Sequence, residues 1–239
     1  MQRTILVTFA AAFYAMSPLD AQTAEQVAAY GGIMLTPVGG LPPILTNTLI
    51  QQMQNGAAVA LRVGHLSSGN LSSTVNAFGV TGIIPAGLGS TLSFTGGALV
   101  PDCNGCSTRL MLGAGGDYRI FSSALGSYAS SPLFTASIDG ELGYAKDNPV
   151  TYFSGYVGAP IALVQRGTGM QFVPFLTPGF GFAQASASGT STTGSFSLIG
   201  GGVGIYNKAS NVMLNAGFQY PFVTNGQSQI GFVLTLGGH

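Results

Sequence analysis

Between Val212 and Leu236 apolar and non-apolar side chains alternate with a period of two. Val212, Leu214, Ala216, Phe218 and Tyr220 share one parity, and Ile230, Phe232, Leu234 and Leu236 repeat it after Asn225-Gly226, a hairpin signature. The other parity carries Asn215, Gly217 and Gln219, then Gln229, Gly231, Val233 and Thr235, small or polar but without charge. A sheet with one face in bulk water normally places Lys and Glu on that face. A face as mild as this one suits a narrow, protected lumen, with the apolar face turned to lipid. The stretch therefore predicts two strands of a transmembrane β-barrel.

Composition extends that expectation to the whole chain. Of 239 residues 46% are hydrophobic and only 6% charged, against about 25% charged in ordinary globular domains. Mean hydropathy is +0.42, yet beyond the N-terminus no apolar run approaches the roughly 18 to 20 residues of a spanning helix; Val157 to Val164 is among the longest. In a bilayer only helices and closed barrels satisfy every backbone group, so an apolar chain without long apolar runs points to alternating strands. The 37 Gly and 12 Pro also argue against helix. Formal charge is zero, and without Arg3 and Asp20 of the leader the balance stays at six basic to six acidic residues. Nothing in it attracts nucleic acid.

Taken in order, residues 1–21 read as a secretory signal peptide: Arg3 supplies the positive start, Ile5 to Met16 the apolar core, and Leu19-Asp20-Ala21 the cleavage site. Export implies an oxidising compartment. Residues 22–55 form a different region, broken by Pro37, Pro42 and Pro43, in which Ile44 to Met53 has helical spacing at Leu45, Leu49 and Met53. It is expected to be a periplasmic linker, or a short helical cap or plug. From residue 56 to 239 the chain reads as the barrel, about ten strand-like segments separated by turn residues, with eight as the alternative. These are Ala57 to His65, Thr74 to Ile84, Ser90 to Val100, Thr108 to Phe121, Leu133 to Tyr144, Val150 to Val164, Gln171 to Gln184, Ser195 to Asn207, Val212 to Phe222 and Ser228 to Gly237. Tyr118, Tyr144, Tyr152, Tyr206 and Tyr220 fall near segment ends, where a ring at headgroup level would form a girdle.

With its leader, its alternating segments, its short inward turns and its C-terminal amphipathic strand, the chain resembles the small outer-membrane β-barrels of Gram-negative bacteria, the OmpA- and OmpW-like membrane domains. The resemblance implies an all-β, antiparallel transmembrane barrel in the outer membrane, with membrane lipid as its partner. Such barrels commonly end in an aromatic residue; this chain departs from that at Leu236-Gly237-Gly238-His239, with Phe232 upstream.

Charges are few enough for their positions to inform. Arg109, Asp117 and Arg119 share the parity of Met111, Gly113 and Gly115, opposite Leu110, Leu112, Tyr118 and Ile120; Asp139 and Glu141 share the parity of Thr135 and Ser137, opposite Phe134, Ile138 and Leu142. An Arg or Lys on the lipid face at mid-depth costs about 2 to 4 kcal/mol, so these charges are expected inside the barrel. There they would form a salt-bridge cluster joined by Arg62, either a polar constriction setting ion preference or a closed plug of the kind that fills narrow barrels. Cys103 and Cys106, in a predicted outward loop, are expected to form a tight disulfide. Two Cys without a nearby His do not make a zinc site, and no glycine cluster is followed by the Lys-Ser/Thr and helix of a phosphate loop.

Together these features predict a non-enzymatic barrel without cofactor or metal, structural or a narrow passive pore for small solutes or ions. The alternative is a surface enzyme hydrolysing lipid or peptide, or an adhesion module. It would act through the outward loops, with His65, Ser67 and Ser68 at the rim as its candidate groups.

Overall fold

The computed structural model describes residues 57–68, 74–87, 89–102, 108–147, 150–166, 169–187, 190–210, 212–222 and 229–238. The expected leader, the 22–55 region, and Cys103 and Cys106 with their expected disulfide lie outside the described residues. Among the described residues there are eleven strands: β1 (Ala58–Ser68), β2 (Thr74–Gly87), β3 (Ser90–Asp102), β4 (Arg109–Ala124), β5 (Leu133–Asp147), β6 (Val150–Gly158), β7 (Ile161–Val164), β8 (Met170–Ala187), β9 (Thr190–Asn207), β10 (Val212–Phe222) and β11 (Gln229–Gly238). No helix among them is long and apolar enough to cross a membrane.

Every pairing is antiparallel, and the sheet closes because β1 pairs with β11 while β4 pairs with β5. β6 and β7 share one position in the ring, both lying between β5 and β8. The break between them falls at Ala159-Pro160, where proline has no N–H to give to a ladder. Ser137 N–H donates to Pro160 O and Ala159 N–H to Pro178 O, both at 2.9 Å, so the ladder continues across the gap. The barrel thus has ten strand positions, as the spacing of segments predicts, with Val150 to Val164 divided in two. Following register partners around the ring from Ala145 leads through Met111, Gly97, Gly79 and Arg62 to Thr235, then through Asn215, Gly204 and Val173 and across β7 to Leu133. One circuit therefore descends almost the whole of β5, the stagger that tilted barrel strands require.

Alternation assigns the two faces. Leu61, Val80, Phe94, Leu112, Leu142 and Val157, on six different strands, point outward and are between 45% and 57% exposed. A belt of large apolar side chains across so many adjacent strands has no counterpart on a water-soluble monomer; it matches the lipid face of a membrane-spanning barrel. On β10, Val212, Leu214, Ala216 and Phe218 are exposed while Asn215 and Gln219 are buried inside. β10 pairs with β11 with Phe218 opposite Phe232 and Leu214 opposite Leu236, the hairpin that the alternation predicts.

Two features differ from the sequence expectations. Tyr206 is 1% exposed and lies among apolar side chains inside the barrel, and Tyr152 has the inward parity of Ser154 and Tyr156. Neither belongs to an outer girdle, because strand parity outranks position near a strand end. The second is a bulge on β4, where Arg119 is opposite Ser137 and Phe121 opposite Ala136. The extra residue reverses the alternation, leaving Ile120 and Phe121 both exposed and bringing the Phe121 ring to 6.0 Å from that of Phe134.

Candidate functional site in the barrel lumen

The inward side chains divide the lumen into unlike walls. β2 to β5 contribute hydroxyls and carboxylates: Thr81, Thr91, Ser93, Thr95, Asp117, Thr135, Ser137, Asp139 and Glu141 are all buried. Thr81 and Thr95 join through their hydroxyls at 2.7 Å. Opposite and toward the chain termini, Ala162, Val164, Val173, Phe175, Tyr206 and Met213 make an apolar cluster against which Leu133 packs. A second cluster joins Tyr156, Ala183, Phe196 and Leu198.

Three of the charged residues expected in the lumen come together. Asp117 and Asp139 are direct register partners on β4 and β5, and Glu141 follows two residues along the same face, opposite Gly115. All three are at most 5% exposed. A Cβ at Gly115 would stand 3.1 Å from Glu141 Cγ, so glycine there makes room for the glutamate chain. The Thr91 hydroxyl donates to Asp117 Oδ1, and the Tyr156 hydroxyl donates to the Asp139 carboxylate. Arg119 lies opposite Ser137, partly buried beside the acids. Asp117, Arg119 and Glu141 are each engaged by neighbours.

Arg109 does not join this group. It lies eight positions from Asp117 on one strand, about 26 Å at roughly 3.3 Å per residue, and its guanidinium sits 5.7 Å from the centroid of the Tyr152 ring near the outward end. The expected single cluster is therefore two features, an acid group at mid-barrel and an arginine–tyrosine pair near the rim. The backbone of Arg62 is opposite Gly79 and Thr235; its side chain lies outside the described residues.

Tyr156 was not singled out by sequence reasoning. Its ring lies over two glycines that are themselves register partners: a Cβ at Gly179 would fall on the ring, and one at Gly158 on the hydroxyl and on Asp139 Oδ1. Phe196 covers Gly181 in the same way. Aromatic rings laid over strand glycines fill a lumen densely, and the spacing of Gly158, Gly179 and Gly181 was the available signal.

Several inward polar atoms have no hydrogen-bond partner within the described chain: Thr135 Oγ1, Ser137 Oγ, Asp139 Oδ1 and Ser154 Oγ on β5 and β6, with Gln171 Oε1, Thr177 Oγ1 and Asn215 Oδ1 further round. Buried polar groups are costly unless satisfied, and bound water is the usual remedy. No group of three or more His, Cys, Asp or Glu among the described residues is arranged to hold a metal ion. His65 lies on the outward face of β1, and its Nδ1 is 2.7 Å from Oδ1 of its register partner Asn76.

No protein-family profile matches the chain, and no curated protein matches it. Solved structures do. The attachment invasion locus protein Ail of Yersinia pestis is 12% identical, with 76% of this chain and 94% of that chain covered and a TM-score of 0.37. The outer membrane enzyme PagL is 12% identical over 76% of this chain and 99% of its own, with a TM-score of 0.39. The translocator domain of the autotransporter NalP from Neisseria meningitidis is 14% identical over 91% and 97%, also with a TM-score of 0.39. Their names give these proteins different activities; a barrel fold hosts many functions.

Proposed function

We propose that this chain is an outer-membrane β-barrel of the bacterial envelope whose lumen is closed by its own side chains, a structural membrane protein without enzymatic activity or cofactor. The observation that carries this reading is the complete burial of large inward side chains: Ile83, Leu99, Met111, Phe196 and Tyr206 are each at most 1–2% exposed although they point into the lumen. An aqueous channel would wet them. Outer-membrane lipid is the partner that the apolar belt requires.

A narrow passive pore for small ions is the second reading. It is favoured by the unpartnered polar atoms of Thr135, Ser137, Asp139 and Ser154, which make one strip of the wall fit for water.

Planar-bilayer recording with the refolded mature chain separates the two. Protein shown by liposome flotation to be inserted is expected to give no discrete conductance steps. Reproducible steps, with an ion preference altered by Asp139→Asn, would replace the closed reading with the pore.

A further inference from the structure

At the end of the barrel where β1 begins and β11 ends, the turn of the β4–β5 hairpin lies beyond the last register pair of its strands, Ala124 opposite Leu133. Its own hydrogen bonds order it: Leu125 N–H donates to Pro132 O at 2.8 Å, Ser131 N–H to Tyr128 O at 2.9 Å and Tyr128 N–H to Ser131 Oγ at 3.2 Å. Held this way, Leu125 is 62% and Tyr128 80% exposed. No charged residue occurs from Ile120 to Ile138, although the β7–β8 and β9–β10 turns at the same end carry Arg166 and Lys208. An exposed apolar turn without charge calls for a partner.

The bulge on β4 decides which way this surface faces. Before it, odd-numbered residues point inward, as Met111 and Asp117 do, and Phe121 and Leu125 share their parity. The extra residue reverses the alternation. Phe121 therefore meets Phe134 on the outer face, Leu125 follows it, and both continue the belt of Leu110, Leu112 and Tyr118. From Leu110 to Phe121 the strand covers about 25 Å of the barrel axis, at roughly 3.3 Å per residue and a tilt of roughly 40°. That is the height of the apolar band of such a barrel, about 25 Å. Leu125 lies on the order of 10 Å further, at the depth of the headgroups that widen a bilayer to about 40–45 Å.

We propose that the turn of the β4–β5 hairpin is seated in the lipid headgroup layer at this end of the barrel, with Leu125 toward the acyl chains and the Tyr128 ring among the headgroups. The inference rests on the membrane reading above. Continuity with the outer belt makes lipid the occupant. Tyrosine suits that depth, since its ring is apolar and its hydroxyl finds water or a polar headgroup. Water among the headgroups also serves the backbone groups of a turn, which hydrocarbon does not.

The chain contains no Trp, so a single Trp reports on one position. Three full-chain variants, each shown by flotation to be inserted in phosphatidylcholine vesicles, make the test: Leu125→Trp and Tyr128→Trp on the turn, and Phe94→Trp in the belt. Lipid carrying a nitroxide on its headgroup is expected to quench both turn variants, and lipid brominated on its acyl chains to quench Phe94→Trp. Turn variants that the nitroxide leaves bright, beside a quenched Phe94→Trp, would overturn the proposal and keep the barrel in the membrane. Aqueous iodide then assigns the turn to water if it quenches them and to a protein contact, such as a second copy, if it does not. Phe94→Trp untouched by bromine would overturn the membrane reading itself, and the proposal with it.

Discussion

Asp117 and Asp139 stand directly opposite each other across β4 and β5 inside the barrel, both almost fully buried, each holding a hydroxyl from a different neighbouring strand, Thr91 for one and Tyr156 for the other. Like charges directly opposite on paired strands are destabilising. Asp139→Asn removes one of the two acids and keeps an oxygen for the tyrosine, so at a pH where both would be ionised it is expected to stabilise the barrel by about 0.5 to 1 kcal/mol. Urea unfolding in vesicles reads the change. Loss of stability would instead mean that an arginine holds both carboxylates in their charged form.

The placement of Tyr156 over Gly158 and Gly179 leaves no room for even one more carbon. Gly179→Ala should force the ring aside and cost about 1 to 3 kcal/mol, the usual range for overpacking. Gly96→Ala is the matched control, since a Cβ there meets nothing within 4 Å; relief of backbone entropy should make it neutral or stabilising by up to about 1 kcal/mol. Equal costs at the two positions would contradict the described packing of the tyrosine ring.

Leu112 lies in the outward belt, 57% exposed and flanked on β4 by the inward Met111. Leu112→Arg is expected to destabilise the inserted barrel, by less than the roughly 2 to 4 kcal/mol of an arginine at the bilayer midplane because Leu112 pairs with Tyr144 toward the outward end of β4. Urea unfolding in vesicles measures it. A change within about 0.5 kcal/mol, typical of a water-exposed surface site, would show that this face does not meet hydrocarbon.

Much of this architecture is written in the sequence because strand alternation is local. Which side of β10 carries Phe218 and which carries Asn215 follows from a period of two, and the scarcity of charge says that neither side meets bulk water. The inward orientation of Asp117, Asp139 and Glu141 is legible for the same reason: parity places them with small and hydroxyl-bearing neighbours. Parity does not reveal what lies across the lumen or on the next strand. That Asp117 meets Asp139 depends on the register of β4 on β5, and that Tyr156 reaches Asp139 depends on glycines on β6 and β8 leaving space. Arg109 and Asp117 share a face in sequence, yet the length of one strand keeps them apart. The bulge at Arg119/Phe121 cannot be read from β4 alone, since it exists only because β5 offers one residue fewer opposite it. The sequence by itself determined the strands and their two faces, because those rest on nearest neighbours along the chain. Ring closure, the acid pair and the bulge on β4 were decided by tertiary structure, because each rests on a register between segments that alternation leaves free to slide.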